Sequence, residues 1–121
     1  MTVTAPTFLV TADAWKSLPP MTEHAGDGYI GDVYENPQGS TMCSGYFELN
    51  HTDEPLLYEY TYDEMKIVLK GEFTFENVDT GQTVVAKERD AIFFPAGSRI
   101  NFTTPDYALA FYVGTRQADA L

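Results

Sequence analysis

Five residues at every second position, Tyr58, Tyr60, Tyr62, Glu64 and Lys66, lie within the stretch LLYEYTYDEMKIVLKGEF, residues 56–73. Residues two apart on a strand share a face, so an unbroken strand would point three phenols, a carboxyl and an ammonium the same way. Such a set can move protons. A carboxyl stripped of water acts as a general acid, whereas an ammonium beside it holds it as a base. Tyrosine hydroxyls can donate hydrogen bonds to an oxyanion that develops on a carbonyl or enol. Strict alternation read by itself would send Glu64 and Lys66 into water and Met65, Ile67 and Leu69 into a core. The inward reading makes the polar face the lining of a pocket.

The elements that must carry these residues are short strands. The N-terminal part, 1–28, is an arm in which TFLV is extended and Thr11 or Asp13 caps one helical turn in TADAWKSL; LPPMTEHAGDG then breaks regular structure. From Tyr29 the chain alternates strand-like runs with turns, among them NPQGS, DTGQ and PAGS, with Gly71 at a corner. About eight to ten strands and almost no helix predict one all-β domain over 29–121, a jelly-roll barrel with a cavity at one end.

Two segments on this pattern resemble the signatures of the cupin superfamily. YDEMKIVLKGEF keeps the glutamate and glycine of the first at Glu64 and Gly71; ERDAIFFPAGSRINF keeps Asp90, Pro95 and Gly97 of the second, with Arg89 where that pattern has its first glycine. The histidines of the pattern fall at Tyr58, Tyr60 and Ile100, so Glu64 alone keeps a donor that a divalent transition metal favours, and no metal or other cofactor is expected. Within the cupins the stretch 30–114 is similar to the EutQ-like subfamily of ethanolamine utilisation. That subfamily also lacks the histidines, keeps Y-D-E, and has a proposed acetate kinase activity. The resemblance implies a double-stranded β-helix in which Tyr58, Tyr60, Glu64 and Ile100 point inward. Strand parity adds Lys66 and Phe102, and one face of the last strand adds Tyr112.

Composition narrows the partners. Seven Lys and Arg against 18 Asp and Glu leave a net charge of −11, which repels nucleic acid and anionic membrane surfaces. One cysteine, Cys43, permits no internal disulfide and reads as a buried apolar residue. Neither a leader nor a long apolar segment is visible, which points to the cytoplasm. Asp53 and Glu54 supply too few oxygens for a calcium loop.

The reading is therefore a cupin that binds a small-molecule substrate, with Glu64, Tyr60 and Lys66 as catalytic candidates and Tyr58, Tyr62, Ile100, Phe102 and Tyr112 lining the site. Three functions follow: metal-independent acid–base chemistry of isomerase, lyase or cyclase type; acetate kinase activity, for which the sequence offers no glycine-rich phosphate loop; or non-catalytic ligand binding. Met65, Ile67 and Leu69 must then be covered by the other half of the sandwich or by a second subunit, and a homodimer is expected.

Overall fold

A computed structural model describes residues 9–36 and 41–117. Eight strands follow a single turn of 3-10 helix at Ala14–Ser17: β1 Asp27–Glu35, β2 Cys43–Asn50, β3 Leu56–Glu59, β4 Glu64–Asn77, β5 Thr83–Lys87, β6 Ala91–Phe94, β7 Arg99–Thr103 and β8 Tyr107–Gly114. All pair antiparallel. One sheet runs β1-β2-β8-β4-β6 and the other β3-β7-β4-β5. This is the curled all-β jelly roll expected of the strand pattern. The NPQGS turn lies largely outside the described residues, as do Thr7 and Phe8 of TFLV. No helix among the described residues is long and apolar enough to cross a membrane.

The two sheets share β4, which the sequence pattern had split in two. Its first half pairs with β8 and β6, its second with β5 and β7, and the bend falls at Gly71. Gly71 has φ +72°, and a Cβ there would lie 1.9 Å from the Tyr107 carbonyl oxygen, so only glycine lets the strand cross from sheet to sheet. Arg89 adopts φ +74°, the left-handed conformation that explains a glycine at this place in the cupin pattern. Its turn is held by Arg89 N donating to the Val68 carbonyl and by the Asp90 carboxylate accepting from Lys87 N.

The arm departs from one expectation. Asp13 stands at the helical turn's N-cap in a left-handed conformation and makes no side-chain cap; its carboxylate pairs with Lys16 at 3.1 Å, and Thr11 bonds the Tyr34 hydroxyl instead. Further on, Met21 N donates to the Gly28 carbonyl and Ile30 N to the Pro19 carbonyl, which lays Pro19–Met21 along the edge of β1.

Aromatic rings fill the barrel. Phe47 stacks on Phe73, Phe73 on Phe75, and Phe75 meets Phe102 edge to face, all with centroids under 6 Å apart. Cys43 is 1 % exposed, and burial pushes its thiol above the usual range, as expected of an inert core residue.

Candidate functional site

The period-two pattern points inward. Leu56, Tyr58, Tyr60, Tyr62, Glu64, Lys66 and Val68 are buried, while the residues between them are exposed. The alternation survives a break in the strand: between β3 and β4 the chain crosses from one sheet to the other at Tyr60–Asp63. Tyr60 N donates to the Ser98 carbonyl, Gly97 N to the Tyr60 carbonyl, and Ala96 N to the Asp63 carboxylate. These bonds hold Tyr60 and Tyr62 over the barrel's interior. Lys66, which alternation by itself would place in water, is 5 % exposed, and Glu64 is 2 % exposed.

Glu64 and Lys66 form a buried ion pair. Lys66 Nζ lies 2.6 Å from Glu64 Oε2, and the same oxygen accepts the Tyr60 hydroxyl at 2.7 Å. Three rings surround the ammonium: Tyr112 at 5.0 Å, Phe47 at 5.2 Å and Phe102 at 5.8 Å from their centroids. Tyr58 and Tyr62 share a hydrogen bond of 2.7 Å beside this cluster.

A second buried pair, Asp32 with Arg116, has no counterpart among the sequence-based candidates. Arg116 reaches both Asp32 oxygens at 2.9 Å, its guanidinium lying 5.3 Å from the Tyr62 ring and 5.6 Å from Tyr112. Tyr112 joins the two pairs: its hydroxyl donates to Asp32 at 2.6 Å and its ring faces Lys66. Register explains the alignment. Asp32 pairs with Gly45, Gly45 with Tyr112 and Tyr112 with Lys66, so the four form one row across β1, β2, β8 and β4. A Cβ on Gly45 would come within 2.5 Å of the Tyr112 hydroxyl, so the glycine opens the path along which Tyr112 reaches Asp32. Asp32 shares its strand face with Gly28 and Ile30, a parity signal that a search confined to the two cupin segments does not reach. Arg116 follows the last strand and carries no periodic signal at all.

Burial sets the protonation of the phenols. It pushes Tyr60 well above its ordinary 10, helped by the Glu64 charge; it raises Tyr62 likewise, and Tyr112 together with its bond to Asp32. At neutral pH all three are hydrogen-bond donors. The sign for stability follows directly: above pH 10 the unfolded chain loses phenolic protons that the folded chain keeps, so stability is intact below about 10 and falls as pH rises beyond it. Tyrosinate absorbance during alkaline titration will therefore rise together with loss of far-ultraviolet structure; smooth ionisation of every tyrosine in an intact fold would contradict this burial.

Two of the expectations need correction. The interior is not a wet cavity: the void lined by Tyr58, Tyr60, Tyr62, Lys66 and Phe102 measures about 10 Å³, the room of a single water, because aromatic rings occupy the rest. A far larger hollow, the mouth cavity of about 280 Å³, lies between arm residues 19–24 and Asp32 and Tyr112. Ile100 does pack in the core, yet it lines a different hollow of about 190 Å³ together with Phe75 and Phe94, away from Lys66. It sits on β7 opposite Tyr58 and belongs to the same core cluster as the three tyrosines.

A transition metal does not suit this donor set. The three histidine positions of the cupin pattern hold two phenols pushed further from ionisation and one alkyl group, and the remaining carboxylate already carries an ammonium.

Comparison with known proteins places this arrangement. The family model described as "Ethanolamine utilisation protein EutQ" matches residues 21–119. The chain belongs to the EutQ family. A family relative from Salmonella typhimurium, named "Acetate kinase EutQ", is 34 % identical over 84 residues, which are 69 % of this chain and 35 % of that protein. The chain thus spans about a third of that relative's length. The crystal structure of an ethanolamine utilisation protein Q from the same organism superposes with a TM-score of 0.71 at 27 % identity, covering 81 % of this chain and 77 % of that one. The cupin domain of Schizosaccharomyces pombe Cnp3, at TM-score 0.62 and 11 % identity over 74 % of this chain and 65 % of that one, shows the shared cupin fold alone.

Proposed function

We propose that this EutQ-family cupin binds a small carbonyl- or enol-bearing metabolite and moves a proton on it, in chemistry of the isomerase, lyase or cyclase type, without a metal. The observation that carries the reading is one carboxylate oxygen, Glu64 Oε2, accepting both a phenol and an ammonium inside a dry barrel. Glu64 takes the proton, and the neutral tyrosine hydroxyls and Lys66 ammonium donate to the oxyanion that forms. Water exclusion strengthens each of these interactions.

The test is deuterium incorporation from heavy water into a panel of short-chain aldehydes, ketones and α-keto acids, followed by proton NMR. Protein-dependent loss of one carbon-bound proton signal supports the reading. A panel untouched by the protein would overturn it.

A second reading rests on the 34 % identity to a protein named acetate kinase. Phosphoryl transfer needs cations around a triphosphate, whereas the lining of the mouth cavity includes Glu23 and Asp32 but neither Lys nor Arg. ATP-dependent formation of acetyl phosphate from acetate, assayed alongside the exchange, selects this reading over the first.

The site belongs, in this proposal, to a homodimer. The outer face of β4, β6 and β8 presents Phe93, Met65 and Val113 in one row at 54, 62 and 36 % exposure, with Ile67 and Phe111 in the next. These rows carry no charge in a chain of net −11, so two copies can meet there with least repulsion. Light scattering is expected to give twice the chain mass for the native protein and the single-chain mass for Met65→Asp; a monomer before substitution refutes the dimer.

A further inference from the structure

The mouth cavity and the void beside Lys66 share two lining residues, Met21 and Ile30. Ile30 belongs to β1 and is fixed by the sheet. Met21 belongs to the arm, and its thioether sulfur lies 3.3 Å from where a Cβ on Gly28 would stand, a place over the glycine that it shares with the Leu56 and Phe47 side chains. An unbranched side chain with three rotatable bonds can leave such a place without any movement of the sheet. The arm carrying it is tied to β1 by Met21 N to Gly28 and Ile30 N to Pro19; Pro20 between them has no N–H to give.

We propose that the two voids are halves of one ligand site and that Met21 is the partition between them, the residue that decides which molecules reach Lys66. The inference deepens the reading of Tyr60, Glu64 and Lys66 as the reacting cluster and rests on it. The inner half offers hydrogen-bond donors, the Lys66 ammonium and neutral phenols, so it takes a carbonyl or carboxylate head. The outer half is walled by Pro19, Pro20, Met21 and Ile30 and lined also by Thr22, Glu23 and His24, and so takes a body with an apolar side and no negative charge. The Asp32 charge at its floor is compensated by Arg116. His24 closes the far side, its ring 5.6 Å from Tyr58 and its Nδ1 3.0 Å from the Leu57 carbonyl oxygen. A ligand of this shape replaces the Met21 side chain when its head enters, and the size of residue 21 sets how wide a head can pass.

Reductive methylation with formaldehyde and dimethylamine–borane probes the partition without any substrate, because formaldehyde is itself a small carbonyl. Peptide mass spectrometry follows Lys66 against the exposed Lys70 and Lys87 as internal standards. Lys66 is expected to react at least ~10-fold more slowly than either in the native protein, as a group reached only through local opening. Met21→Ala is expected to raise the Lys66 rate ~10-fold or more with Lys70 and Lys87 unchanged, and Met21→Phe to lower it. Met21→Leu, close in volume, should stay within about twofold of the native rate. An unchanged Lys66 rate in both Met21→Ala and Met21→Phe overturns the partition, and so does a rise shared equally by all three lysines. Should Met21→Ala open Lys66 while the exchange panel stays silent, the partition stands and the acid–base reading falls.

Discussion

Lys66→Met will destabilise the protein by about 3–5 kcal/mol, and adding Glu64→Leu to it will restore most of that loss. The first change leaves a carboxylate 2 % exposed with its ammonium gone, and the Tyr60 hydroxyl cannot replace a full charge. The second removes the stranded charge and fills the space with carbon. Urea unfolding of the native protein, both single variants and the double variant closes the cycle. Strictly additive losses would mean that the 2.6 Å contact carries no coupling, and the description of the pair as one unit would be wrong. The recovery also bears on function. A charged pair that hydrocarbon can replace at little cost is not kept for stability, which accords with the chemical role proposed for it.

The largest effect on turnover is expected from Glu64→Gln. It keeps the shape and hydrogen-bonding capacity of the side chain and removes its basicity, so proton exchange on the responsive compound should fall by ~10²–10⁴. Tyr60→Phe should cost less, because it removes a donor to Glu64 and leaves the base in place. The proof of specificity is in the comparison with Cys43→Ser, a buried change outside the cluster. If Glu64→Gln slows exchange no more than Cys43→Ser does, Glu64 is not the base.

Much of this was legible in the letters, for reasons that particular residues make clear. Alternation by itself gives the wrong face for Glu64 and Lys66, because it assumes that apolar residues look inward; Met65 at 62 % exposure shows the assumption failing. The resemblance to the paired cupin segments corrects it, since it implies that the positions of Tyr58, Tyr60 and Glu64 point into the barrel, where they are buried. Even Arg89 is intelligible, since it holds the left-handed conformation at the place where the cupin pattern has a glycine. The state of the interior was not legible. Phe47, Phe73, Phe75 and Phe102 each read as one apolar strand residue, and only their packing together shows that they leave room for one water. The Asp32–Arg116 pair was hidden for a related reason: 84 residues separate partners that meet through the register of three strands. Ile100 faces inward as the cupin pattern implies, yet it lines a separate hollow, because a pattern aligned to histidine ligands assumes that every such position converges on one centre.

The proposed function requires that the Glu64 carboxyl, paired with the Lys66 ammonium, handle protons without a transition metal. Elemental analysis of protein purified without chelator, paired with the exchange assay before and after dialysis against EDTA, tests it most directly. Well under one transition-metal ion per chain is expected, with an exchange rate that dialysis leaves unchanged. Stoichiometric iron, zinc, nickel or manganese, with activity that vanishes on chelation and returns with the metal, would contradict it.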